Sequence, residues 1–182
     1  YYLFPPDQTA LSRSITEKEA EQAFSQFFEA LENEDLNLLN PDYIRASWTF
    51  ETEHNQLNLI NTSTGWSDTS IVIAQSENPG NAIKVDYYIT PFIMTGFEIT
   101  DYFPNPEVEL SGDTLKIAFA EVDLNLANLS TEFTIRQFVE APRQQHPYFY
   151  HGNSALIIHL PQNLNLHVSD KLPVHWIRKN HD

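Results

Sequence analysis

Ile44-Arg45-Ala46-Ser47-Trp48-Thr49-Phe50 is the stretch that decides how this chain folds. Ile44, Ala46, Trp48 and Phe50 take alternate positions, with Arg45, Ser47 and Thr49 between them. A period of two sends one set of side chains to one face of a strand and the other set to the opposite face. The alternation recurs downstream in Leu57 and Leu59, in Ile71 and Ile73, and in Ile83, Val85 and Tyr87. It continues through runs at 97–99, 108–110, 115–119, 122–126, 133–135, 156–160, 164–168 and 172–177. Gly, Pro, Asn and Asp separate these runs, as expected of strands bounded by turns. The chain therefore reads as mainly β from residue 43 onward, built as a β-solenoid or a β-sandwich.

Upstream the period changes. Ala20, Ala23, Phe24, Phe27, Phe28 and Leu31 recur at three- and four-residue steps, while Glu17, Lys18, Glu21, Gln22, Glu29 and Glu32 occupy the opposite face. That pattern predicts one N-terminal amphipathic helix over 16–35. Thr16 and Glu19 have the spacing of a capping box, and the helix stops near Asn33–Asp35, before Asn40-Pro41. Residues 1–15 read as a linker, and 16–182 as a single domain. Tyr1-Tyr2-Leu3-Phe4 before Pro5-Pro6 reads either as the outer edge of a removed anchor or as a terminus packing its aromatics. A first residue other than Met points to a processed or trimmed end.

Turn chemistry supports the strand reading. Ser111-Gly112-Asp113 lies between two alternating runs and reads as a hairpin turn, because Gly supplies positive φ. Ser76-Glu77-Asn78-Pro79-Gly80-Asn81 reads as a loop. Residues 136–154, with Pro142, Pro147 and Gly152, form the longest irregular stretch. Loops of that length in a compact domain are often functional.

The aromatic share of 13% and apolar share of 41% are too high for a disordered chain. A net charge of −15 argues against nucleic acid as a partner, since phosphate contacts need clustered Lys and Arg. It disfavours anionic membrane surfaces for the same reason. The charge is uneven: residues 143–182 hold two acids, four bases and six of the seven histidines. Titration of those histidines, near pH 6.5 for an unperturbed imidazole, would make that end cationic beside an acidic body. Cysteine is absent, which excludes disulfides and thiolate metal sites. No apolar run of about 18 residues is present to span a membrane.

Two segments have a familiar cast. Glu109-Leu110-Ser111-Gly112-Asp113-Thr114-Leu115-Lys116-Ile117 resembles the turn, Gly-Asp and Thr-Leu-Lys-Ile strand start of the bacterial toast-rack adhesin family. Residues 156–170, Leu-Ile-Ile-His-Leu-Pro-Gln-Asn-Leu-Asn-Leu-His-Val-Ser-Asp, are similar to that family's recurrent strand, Leu-Pro, strand, Ser-Asp segment. Residues 59–73 have the look of an opening rung of the same kind. The resemblance spans about residues 57–176. It implies an envelope-associated β-solenoid domain, exported or anchored outside the bacterial cytoplasm by a segment beyond this chain. The implied role is structural, sensory or binding, with no catalytic set to carry over.

The residues offer two candidate sites of their own. His146, Tyr148, Phe149, Tyr150 and His151 gather loop aromatics and imidazoles beside Pro147 and Gly152, an adaptable surface for a protein or cell-surface partner. The bland alternative is a loop that anchors its aromatics in the core. His159, His167 and His175 are spaced by eight residues, each between alternating apolar neighbours, so each should face away from the core. Strands paired in register would let them line one patch fit for Zn²⁺ or Cu²⁺, whereas other registers would scatter them. The pairs Glu51 and Glu53, and Glu107 and Glu109, read as solvated strand faces. Gly-x-Ser-x-Gly, Walker, dinucleotide and His-Glu-x-x-His motifs are all missing.

These features point first to a non-enzymatic, extracytoplasmic envelope module with a binding or structural role. The alternative is a metal-dependent enzyme or metal-binding protein using the C-terminal histidines. A third reading is a subunit that associates by pairing strand edges. Nothing in the sequence specifies an oligomeric state.

Overall fold

The computed structural model describes residues 16–63, 69–75, 80–94, 97–120, 149–150, 152–169 and 172–177. The helix α1 (Glu17–Glu32) begins at the expected box. The Thr16 hydroxyl accepts the Glu19 amide at 3.3 Å, and the Glu19 carboxylate accepts the Thr16 amide at 2.8 Å. This satisfies two of the donors that a helix start leaves open. The chain leaves through Asn33 and then Glu34, whose φ of 53° is left-handed. Ala20, Ala23, Phe27 and Ala30 are buried. Phe28, expected in the apolar stripe, is instead 42% exposed. It lies one residue past Phe27, about 100° further round the helix, and packs beside Phe24 with ring centroids 4.8 Å apart.

Twelve strands follow among the described residues: β1 (Ile44–Glu51), β2 (Gln56–Asn61), β3 (Ser70–Gln75), β4 (Ala82–Ile89), β5 (Ile93–Met94), β6 (Phe97–Glu98), β7 (Glu107–Ser111), β8 (Thr114–Ala118), β9 (Phe149–Tyr150), β10 (Ser154–Leu160), β11 (Asn165–Val168) and β12 (Val174–Ile177). They form a five-stranded sheet in the order β1-β4-β10-β3-β12, a four-stranded sheet in the order β11-β2-β8-β7, and a small sheet β6-β5-β9. Both larger sheets mix parallel and antiparallel pairs. The β7–β8 hairpin turns through Gly112 at φ 62°, as its sequence predicts. The runs at 122–126 and 133–135 lie outside the described residues.

The two larger sheets face each other as a sandwich, the second of the two architectures read from the pattern. Ile71, Ile73, Ile83, Val85, Leu156 and Ile158 from the five-stranded sheet share one core with Leu57, Leu59, Leu115 and Ile117 from the other. A second core covers the outer face of the five-stranded sheet. There Phe27 of α1 joins Val72, Tyr88, Ala155, Ile157 and Ile177, with Leu31, Leu36, Leu39 and Tyr43 around them. The molecule thus has three layers, helix on sheet on sheet. Central strands are buried on both faces, which is why Ile71–Ala74 and Ala155–Ile158 are continuous apolar runs and not alternating ones.

Candidate functional site: the Arg45 cleft and the Asp86 brace

Strand β4 alternates as the sequence predicts, with Ile83, Val85 and Tyr87 in the sandwich core. Lys84, Asp86 and Tyr88 therefore face the helix side. In register, Ser47 of β1 lies opposite Asp86, and His159 of β10 lies opposite Lys84. Asp86 is 3% exposed and accepts from all three neighbours. Its Oδ1 takes the Ser47 hydroxyl at 2.6 Å, and its Oδ2 takes Lys84 Nζ at 2.8 Å and His159 Nε2 at 3.3 Å. Burial alone would raise the Asp86 pKa. The hydrogen bonds from His159, Lys84 and Ser47, with the Lys84 charge, outweigh it and hold the carboxyl well below the usual range. The trio of Ser, His and Asp is not a nucleophilic triad here. The Ser47 proton is committed to the carboxylate, whereas a triad directs the hydroxyl to the imidazole. Its chemistry is that of a brace joining β1, β4 and β10.

A β-bulge between Ile44 and Ala46 makes Arg45 the extra residue on β1. Bulges re-aim side chains, and Arg45 reaches across to a short 3₁₀ turn, Thr100–Tyr102. Its Nη1 donates to the Thr100 carbonyl at 2.6 Å, and its Nη2 lies 3.2 Å from Asp101 Oδ1. The Arg45 side chain is 26% exposed and that of Asp101 90% exposed, so the aspartate is the outer, easily displaced partner. The Thr100 hydroxyl donates to Glu98 at 2.9 Å and accepts the Phe92 amide at 3.0 Å, which fixes the turn from beneath. Between these groups lies a cleft of about 170 Å³. Asp42, Tyr43 and Arg45 line one part of it, and Ile89, Pro91, Glu98, Thr100 and Asp101 the rest. Its size suits one ring or one side chain of a larger partner, since drug-sized pockets start near ~300 Å³. Three carboxylates around one guanidinium favour a hydroxyl-rich or cationic group.

Tyr43 packs edge-on against Tyr88, ring centroids 6.0 Å apart, and so ties the cleft wall to the helix-side core. Burial pushes the Tyr88 hydroxyl up to about 12, with Tyr43 adding to the shift and only the Asn40 backbone opposing it. That hydroxyl makes no hydrogen bond of ordinary geometry.

Of the loop residues read as a binding surface, His146, Tyr148 and His151 lie outside the described residues. The backbone of Phe149 and Tyr150 forms β9, antiparallel to β5 with Met94 opposite Phe149 and Ile93 opposite Tyr150. Just beyond, Gly152 is pressed against the 90–92 backbone. A Cβ there would fall 2.6 Å from the Thr90 carbonyl oxygen, 2.6 Å from the Phe92 ring and 2.7 Å from the Pro91 carbonyl oxygen. Asn153 and Thr90 exchange backbone and side-chain bonds beside it, the Thr90 amide donating to the Asn153 carbonyl at 2.8 Å and the Asn153 amide to the Thr90 hydroxyl at 2.6 Å. Residues 89–94 therefore both line the Arg45 cleft, through Ile89 and Pro91, and hold β9 and Gly152.

The spaced histidines do not converge. His159 sits on β10, His175 on β12 two strands away, and His167 on β11 in the other large sheet. The chain crosses between sheets after Leu160 and again after Val168, which no eight-residue spacing reveals. Among the described residues no three His, Asp or Glu side chains gather as a metal-holding set. His159 also departs from the solvent-facing expectation. The face opposite the sandwich core is itself covered by a second layer, and there it is bonded to Asp86.

No protein-family model, curated protein or solved structure matches the chain. Sequence reading missed Arg45, Glu98, Thr100 and Asp101 as a group. One signal was present: Arg45 is the only Lys or Arg between Lys18 and Lys84. A lone cation in so acidic a stretch marks a place where carboxylates are drawn together.

Proposed function

We propose that this chain is a non-catalytic, extracytoplasmic module of the bacterial cell envelope that binds a protein or surface partner through the Arg45 corner. The observation carrying this reading is that Ile89, Pro91, Glu98, Thr100 and Asp101 line the cleft, while Ile93 and Met94 pair with Tyr150 and Phe149 of the aromatic run and Gly152 packs on the 90–92 backbone. A recognition loop seated on a rigid scaffold beside a small polar cleft is how binding surfaces are commonly built. The Asp86 cluster supports the non-catalytic side of the reading, since its hydroxyl, ammonium and imidazole all turn inward on one carboxylate. The envelope location rests on the resemblance of the 109–117 and 156–170 segments, with an anchor supplied from outside this chain. Nucleic acid is not the partner on charge grounds.

The test is saturable binding of the labelled chain to isolated bacterial envelopes, competed by unlabelled chain. Arg45→Ala, checked for an unchanged fold by circular dichroism, should weaken it at least tenfold. Non-saturable binding, or equal binding by the variant, would discard the proposal.

A further inference from the structure

The Arg45 cleft sets a strong donor beside a strong acceptor on a fixed frame. Arg45 donates to the Thr100 carbonyl at 2.6 Å and to Asp101 Oδ1 at 3.2 Å, and the turn beneath is held by the Phe92 amide and Glu98. A guanidinium carries five N–H donors, and a carboxylate has two oxygens with about four acceptor sites. Neither contact therefore exhausts its group. Arg45 keeps N–H donors, and Asp101 keeps Oδ2, for a ligand that leaves both existing bonds in place. Tyr43, Ile89 and Pro91 give the same cleft an apolar lining.

Taking this corner as the contact surface proposed above, we infer that the cleft holds one neutral pyranose ring of a sugar. Each ring hydroxyl both donates and accepts. One can accept from Arg45 while its neighbour donates to Asp101 Oδ2, and Asp42 and Glu98 offer further acceptors. The C–H faces of the ring are apolar and fit against Tyr43, Ile89 and Pro91. Charge works against the alternatives. An anion would face the carboxylates of Asp42, Glu98 and Asp101. A cation would have to share Asp101 with Arg45, whose side chain is only 26% exposed, while Asp42 and Asp101 are exposed and screened by water. A neutral ring uses donor and acceptor together and leaves the pair unbroken. Because the pair and its turn are already fixed, little ordering accompanies binding.

The test titrates methyl glucoside, methyl galactoside and methyl mannoside separately into the ¹⁵N-labelled whole chain. At least one should shift the Arg45 Nε–H signal and the amides of 98–102 saturably, with a dissociation constant in roughly the millimolar range expected of one small ring. Binding should change less than about twofold between roughly 20 and 500 mM NaCl, because no charge is neutralised. Asp101→Ala alters an exposed side chain and should weaken binding about fivefold or more. Methylammonium and acetate should give no saturable shift at these positions. Silence with all three sugars overturns the inference. So do shifts confined to other surfaces, equal binding by Asp101→Ala, or a cleft that takes either ion more tightly than a sugar. Suppression of envelope binding by saturating pyranoside assigns the ring to a surface glycan, and cleft binding without suppression assigns it to a free sugar; both uphold the ring. Envelope binding that Arg45→Ala abolishes, in a chain no sugar shifts, would remove the ring and leave the corner standing. Sugar bound in the cleft of a chain that no envelope binds saturably would do the reverse.

Discussion

Replacing Asp86 by Asn removes the one charge on which three strands converge. The asparagine oxygen can replace only one of the two carboxylate oxygens, so its amide group would face either the Ser47 hydroxyl or both Lys84 and His159, donor against donor. Stripping one partner from a fully buried ion pair costs about 3–5 kcal/mol. Here the partners can regain water, since the Lys84 side chain is 52% and the His159 side chain 29% exposed. The cost should fall to about 2 kcal/mol, or roughly 4–8 °C in melting temperature for a chain of this size. The pH dependence separates this cause from a packing defect. The Asp86 pKa is depressed in the folded state, so its contribution is fully present above the unfolded-state value near ~3.9. It is lost as pH falls below that value toward the folded one. Urea unfolding of the wild-type and Asp86→Asn chains between pH 7 and about 2.5 reads both effects. The gap should be constant from pH 7 to about pH 5 and shrink steadily below pH 4. A gap under about 0.5 kcal/mol at pH 7, or one that stays the same down to pH 2.5, would refute the bracing role.

Two further variants probe the corner and the second core. Gly152→Ala must push two carbonyl oxygens and a ring aside by the better part of an ångström, and it should destabilise by about 2–3 kcal/mol in chemical denaturation. It should also weaken envelope binding, because the loop base moves with it. Tyr88→Phe deletes a buried hydroxyl that makes no proper hydrogen bond, so unfolding should show a change between zero and a gain of about 1 kcal/mol. A loss of more than 1 kcal/mol would reveal a bond to the Asn40 backbone stronger than the geometry allows.

Much of the fold is legible because the signals are local. The Thr16 and Glu19 box, the helix period, the turn at Gly112 and the alternation in β1 each depend on a few neighbouring residues and on the backbone preferences they impose. Two-residue strands such as β5 and β9 are too short to carry a period, and they exist because Gly152 and Asn153 lock against Thr90–Phe92. The cleft and the brace were hidden for a different reason. Arg45 finds Asp101 across 56 positions and Ser47 finds Asp86 across 39, distances that only sheet order closes. Asp86 reads as a solvent-facing strand residue because its neighbours alternate, and alternation alone cannot reveal that a second layer covers the outer face. The three histidines mislead in the opposite way. Their even spacing suggests a shared patch, yet the chain changes sheets between them.

Lys84 and His159 are both donors to one carboxylate oxygen, so the brace holds β4 to β10 at the centre of the five-stranded sheet. At the other end of β4, Ile89 lines the cleft, and Thr90 bonds Asn153. A single strand therefore runs from the buried anchor to the Arg45 corner, the proposed contact surface.

Site-specific photo-crosslinking reads that corner most directly. Tyr102 is 58% exposed beside Asp101, and Glu109 on β7 is an exposed position on the other large sheet. With a photoreactive residue at 102, the chain should label one envelope component, and excess unlabelled chain should suppress the label; the same residue at 109 should give none. Equal labelling from both positions, or labelling from 109 alone, would contradict a partner seated on the Arg45 corner.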